Sequence, residues 1–207
     1  MPDFKAARAK AKERIEFANM ARKKGKYPNA LLEAIVDENT KVAKMLLERG
    51  ADVNAQSQIY GNVLQAAIAY ENTEVAKMLL EKGAHVNARS GKHVTALKAA
   101  IVYENTELAK KLLEKGADVN GEGGIYGNIL QAAVIYMNTE VVEMLLEKEA
   151  HVNARGGKYV TALQAAVETE DTKVARMLLE KSADVNTENG VTGMLSNKQY
   201  KIRTLRW

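Results

Sequence analysis

An all-α array of stacked helix–turn–helix units, a solenoid, is the fold class that this 207-residue sequence predicts, on three observations. Sliding the chain against itself brings Leu31, Leu64, Leu97, Leu130 and Leu163 into one column, each 33 residues from the last. Each period holds two short segments of helical apolar periodicity separated by a turn-forming pair. Finally, aromatic residues make up only 5% of the chain, so the core must come from Ala, Val, Leu, Ile and Met, which suit packed helices better than sheets.

At the N-terminus, residues 1–26 carry Pro2 and Asp3 as a helix start, then Phe4, Ala7, Ala11, Ile15 and Ala18 at a helical period. This basic stretch is expected to be a capping helix, because the end unit of a stack would otherwise expose its core. Five units are expected to follow, at 27–59, 60–92, 93–125, 126–158 and 159–191. In the third, the first helix is expected over Ala96–Val102 and the second over Glu107–Glu114, with Asn105 and Thr106 as turn and cap and Gly116 as the stop. Gly-rich residues then form a projecting loop.

One such helix pair cannot bury both sides of its apolar stripe, so neighbouring units must share a core. The paired alanines Ala66-Ala67, Ala99-Ala100, Ala132-Ala133 and Ala165-Ala166 would allow close approach, while Leu79, Leu112, Leu145 and Leu178 would fill the layer between helices. The last segment, 192–207, breaks the repeat and reads as a basic tail or partial cap.

The segments "TALQAA", "EVAKMLLEKGA" and "ADVNA" resemble the ankyrin repeat, whose pattern reads TPLHxAA, GHxEIVxLLL and GADVNA. The resemblance covers residues 27–191, and the variant "YGNxLQAA" resembles repeats of fungal ankyrin arrays. Every unit departs from the pattern by lacking the Pro and His of TPLH, and the Gly-His turn reads EN, EN, EN, MN or ED. Weaker turns and helix starts are the expected consequence. The resemblance implies a helix-turn-helix repeat scaffold or adaptor that binds proteins through a concave groove.

The second and fourth units share 25 of 33 positions, which points to duplication of a two-unit block. The series Asp52, His85, Asp118, His151, Asp184 keeps the same rhythm. Growth by whole rungs suits an extended binding surface better than an active site of unlike residues.

Chemistry finds little purchase. Without Cys there is no disulfide framework, thiolate ligand or Cys nucleophile. His85 and His151 stand two units apart, roughly 20 Å at about 10 Å per helix layer, too far to share a metal. The stretch 120–128, "NGEGGIYGN", lacks the Lys-Ser/Thr ending of a phosphate loop. No nucleophile with a base and an orienting group emerges, so neither enzyme activity nor a metal or other cofactor is expected. The acids of "EVAKMLLEK" are expected to pair along their own helix, Glu74 with Lys77 and Glu107 with Lys110 or Lys111.

The net charge of +4 divides into +6 for residues 1–26, −6 for the body and +4 for residues 192–207. An acidic body argues against a continuous nucleic-acid surface, leaving only the basic ends for that role. No apolar run is long enough to span a membrane, no signal peptide is visible and there is no Cys, which favours a cytoplasmic location; a monomer is expected.

By the same resemblance, Tyr70, Tyr103 and Tyr136, with Ala69, Val102 and Ile135 before them, occupy the groove-facing end of each first helix. The neighbouring loop tips carry Ile59, Lys92, Ile125 and Lys158. The expected contact set for a protein or peptide partner is Tyr70, Tyr103, Tyr136, Val102, Ile135, Ile59, Lys92, Ile125 and Lys158, since Tyr offers large area with little rotamer entropy to lose. Two readings compete: tyrosines that merely cover helix ends, and a structural or engineered scaffold with no physiological ligand.

Overall fold

The structure is a computed structural model and describes residues 30–57, 60–89, 95–121 and 124–186. The expected capping helix, the tail, Ile59 and Lys92 lie outside these residues. Two compact units divide the chain, residues 1–85 with 89–92 and residues 86–88 with 93–207.

The first unit holds α1 (Ala30–Val36), α2 (Thr40–Glu48), a short antiparallel pair β1 (Gln56–Ser57) and β2 (Gly61–Asn62), α3 (Val63–Ala69) and α4 (Thr73–Glu81). In the second are α5 (Ala96–Val102), α6 (Thr106–Glu114), a single 3-10 turn (Gly124–Tyr126), α7 (Ile129–Ile135), α8 (Thr139–Glu147), α9 (Ala162–Glu168) and α10 (Thr172–Glu180). The expected first helix of the third repeat is α5 itself. Its second, α6, begins one residue earlier than Glu107, because Thr106 follows directly on the cap Asn105.

Helices of seven and nine residues are too short to stand alone in water. Packing holds them: α1 lies on α3 and α2 on α4 in the first unit, and α5 on α7 on α9, and α6 on α8 on α10, in the second. Each unit therefore builds an inner and an outer helical layer, as an all-α repeat solenoid requires. The alanine pairs of the inner helices are at most 1% exposed, so nothing bulkier than a methyl separates neighbouring inner helices there. Leu79, Leu112, Leu145 and Leu178 are fully buried and contribute about 2 kcal/mol each.

The outer-helix starts are capped although the His of the resembled pattern is missing. Asn39, Asn72, Asn105, Asn138 and Asp171 each accept a hydrogen bond from the amide three residues on, at 3.0–3.2 Å, capping every outer helix. Asn72 and Asn138 also donate to the hydroxyls of Thr40 and Thr106 in the preceding repeat, at 2.9 and 2.8 Å. The residues before these caps, Glu38, Glu71, Glu104, Met137 and Glu170, take the left-handed φ of 52–58° that Gly fills in the resembled pattern. Position, not glycine, sets the turn.

Ion pairs also run between repeats. Glu74 meets Lys44 and Glu140 meets Lys110, each across adjacent repeats, and Lys173 reaches Glu143 at 2.9 Å. An offset of 30 residues is one repeat less three residues, so stacking offers Glu74 a cation on the neighbouring outer helix as well as Lys77 on its own. Such exposed pairs contribute little to stability, since solvent screens them.

Candidate partner-binding surface

Two tyrosine pairs organise the ends of the inner helices. Tyr60 and Tyr70 share a hydrogen bond between hydroxyls at 2.7 Å, their rings edge to face with centroids 5.5 Å apart. One duplicated block later, Tyr136 donates to the Tyr126 hydroxyl at 3.0 Å with the same 5.5 Å edge-to-face packing. In each pair the loop residue that opens a repeat meets the residue that closes its inner helix. Burial pushes the pKa of the Tyr60 and Tyr136 hydroxyls above the ordinary value, Tyr126 adding to the effect on Tyr136, so both stay neutral at physiological pH.

This pairing divides the expected contact set. Tyr70 is only 6% exposed, its ring and hydroxyl turned into the contact with Tyr60, which corresponds to the competing reading that it covers a helix end. Val102, Tyr103, Ile135 and Tyr136 are half-buried at the ends of α5 and α7. Ile125 is 76% exposed and Lys158 is exposed, both on loops of the same compact unit. Lys158 lies over the Tyr159 ring at 4.9 Å, and that contact raises its pKa, with Glu168 adding to the shift.

The loops are set by glycines and by a buried amide. Gln131, 1% exposed, accepts from the Asn128 amide at 2.8 Å and donates to the carbonyls of Gly156 and Val160 at 3.0 and 2.8 Å. It thereby ties α7 to the loop of the next repeat. Lys158 donates its amide to Ile125 at 3.3 Å, stacking the two loop tips. At Gly127, with φ +89°, a Cβ would overlap the Gln131 carboxamide, and at Gly157, with φ +65°, it would overlap the Tyr126–Gly127 peptide. Lys98 occupies the Gln131 position in the third repeat. It is 4% exposed, 5.6 Å from the centre of the Tyr126 ring, and burial lowers its pKa.

An asparagine ladder links the loops that follow the outer helices. Asn54 accepts from the His85 amide, Asn87 from Asp118, Asn120 from His151 and Asn153 from Asp184, all at 2.7–2.8 Å. Asn87 and Asn153 also donate to the carbonyls of Gly116 and Ser182 at 3.0 Å. Asp52, Asp118 and Asp184 close a local turn by accepting from the amide two residues on; that amide belongs to Asn54, Asn120 and Asn186. His85 and His151 are exposed loop residues, tied in through their backbone.

Sequence reasoning missed Tyr60 and Tyr126 as partners of the helix-end tyrosines, and missed Met137. The signal was a tyrosine ten residues ahead of Tyr70 and of Tyr136, with a His at the same offset from Tyr103. Among the described residues no group of three or more His, Asp or Glu could hold a metal ion, and no helix is long and apolar enough to cross a membrane. A family model described as "Ankyrin repeats (3 copies)" matches residues 31–123 and again 122–189. No curated protein matches the chain.

Proposed function

The chain belongs to the ankyrin-repeat family, whose repeats are generally protein–protein interaction modules and typically non-catalytic, and from that premise we propose that it binds a partner protein or peptide along the ends of its inner helices. The observation that carries this reading is the row of half-buried apolar and aromatic residues at equivalent places in consecutive repeats, Val102-Tyr103 and Ile135-Tyr136, beside the exposed Ile125 and Lys158. The surface is preorganised. Capped helices, the Tyr126–Tyr136 bond and the stacked loops hold it before a partner arrives, so little ordering entropy is lost on association. Tyr70 supports the frame rather than the contact. In the first compact unit, Ile59 and Lys92 remain contact candidates on their sequence position alone.

A pull-down from cell extract read by quantitative mass spectrometry tests this, with the intact chain beside a Val102→Ser/Tyr103→Ser variant whose helicity and melting temperature are unchanged. Proteins captured by the first and lost by the second are the expected outcome. Equal capture by both would place the binding surface elsewhere.

A further inference from the structure

Three positions are sealed in every repeat after the first: those of Ala66, Val75 and Leu79 are at most 1% exposed wherever they recur. The first repeat holds Glu33, Val42 and Leu46 at the same places. There Glu33 is exposed, Val42 is 39% exposed and Leu46 is half-buried, with Met45 beside them at 47%. One cause accounts for the difference. These positions face the preceding repeat, and residues 1–26 do not follow the 33-residue period. Of α2 only Ala43 and Leu47 are buried, whereas α4 buries Val75, Ala76, Leu79 and Leu80. Val42, Met45 and Leu46 stand three and four residues apart, so they share one open apolar face.

Glu33 restricts what can cover that face. A second copy continuing the stack would bury its carboxylate where each later repeat buries a methyl, and a buried charge without a partner is strongly unfavourable. The charges of α2 itself nearly balance, Lys41 and Arg49 against Glu48, with Lys44 paired to Glu74. Attraction at the outer layer is therefore apolar, and a cation is wanted only at Glu33.

We infer that residues 4–20, which lie outside the described residues, form a helix that lies on α2 and closes the array. Phe4, Ala7, Ala11, Ile15 and Ala18 meet Val42, Met45 and Leu46, and one cation of the stretch meets Glu33. Three properties support this occupant. Its stripe is mostly Ala, which permits the close approach that the paired alanines give the inner helices. Residues 1–26 carry nine Lys and Arg against three acids, so a cation is at hand for Glu33. The stretch is also tethered to this end of the array, since it runs directly into α1, which packs on α2. Residues 21–29 reach about 30 Å when extended, more than the roughly 10 Å between neighbouring helices, and such a tether favours an intramolecular occupant over a free one. The basic end is then part of the fold and not an arm for nucleic acid.

The chain has no Cys, so a nitroxide on Lys41→Cys marks a single exposed site on α2 of the full-length protein. In isotope-labelled chain, the NMR signals of the amides of residues 4–18 should be lost beside the radical and recovered when it is reduced. Phe4→Ser/Ile15→Ser should abolish that loss and let the amides of α2 exchange with solvent about tenfold faster, while those of α8 keep their protection. Signal loss that survives Phe4→Ser/Ile15→Ser unchanged would reduce the contact to tethering and overturn the inference. Loss seen only when nitroxide-bearing and isotope-labelled chains are mixed would overturn it too, assigning the face to a second copy. Signals of residues 4–18 untouched by the radical would equally sink it, and if they shift on adding a DNA duplex at low salt, the stretch is a nucleic-acid arm instead.

Discussion

The Tyr136 hydroxyl donates to that of Tyr126 at 3.0 Å, so the residue that caps the end of α7 is fastened to the loop that opens the same repeat. The contact closes a ten-residue span over the inner helix and is repeated by Tyr60 and Tyr70. Removing either hydroxyl of the Tyr126–Tyr136 pair leaves the other without its partner in a part-buried place. Tyr126→Phe and Tyr136→Phe should each destabilise by about 1 kcal/mol, and the double variant by clearly less than their sum. Urea unfolding of the four-member cycle checks this; simple additivity would mean that the two hydroxyls do not act together.

Val160 sits at φ +61°, where the second and fourth repeats place Gly61 and Gly127 at φ +89°. A β-branched side chain is strained there. Val160→Gly should raise stability by about 1 kcal/mol, the relief of strain outweighing the added freedom of the unfolded chain. The reverse change, Gly127→Ala, should lower it by more than about 2 kcal/mol, since its methyl meets the Gln131 carboxamide. Thermal melts of the two variants should move in opposite directions.

Lys98 is the one cation among the inner-helix positions that carry Gln65, Gln131 and Gln164 in the other copies of this motif. Burial lowers its folded pKa below the ordinary value of 10.5. In the window between those two values the unfolded chain holds the proton more tightly, so stability rises with pH. The destabilisation is complete below the folded pKa and gone above 10.5. Lys98→Gln should therefore stabilise the protein by about 1 kcal/mol at pH 7, with the gain shrinking as pH climbs through that window. Melting temperatures of both chains from pH 7 to 10 measure it; a constant difference would show that charge burial is not the cause.

Asn120 links its loop to the next through the His151 amide at 2.7 Å. Asn120→Ala should cost about 1 kcal/mol and expose that amide. Hydrogen exchange read by NMR should show His151 exchanging faster while the amides of α7 keep their protection. Unchanged exchange at His151 would remove the ladder from the account of loop stacking.

Much of this was legible in the 33-residue period. The leucine column and the alanine pairs announced helical layers, because a buried face must recur at the helical spacing and at the stacking interval together. Asn105 was readable as a cap because its short amide can reach the free amides of a helix start. Less legible was where each cap's second hydrogen bond would go, since Asn138 donates to Thr106, 32 residues away.

The candidate surface was readable only in part. Tyr103, Tyr136, Val102 and Ile135 were found from their place before the turn, but exposure is not written at a position. Tyr70 and Tyr136 hold the same place in near-identical repeats, yet Tyr70 is buried and Tyr136 half-exposed.

By itself the sequence determined the helices, their caps and the interval at which they recur, because those follow from local periodicity and from side chains bonding three or four residues away. Only the tertiary structure decided which acid meets which lysine, which tyrosine is turned inward, and that Lys98 is buried beside an aromatic ring. Those outcomes depend on groups about one repeat apart in the chain but one helix layer apart in space, and it is stacking that converts the first distance into the second.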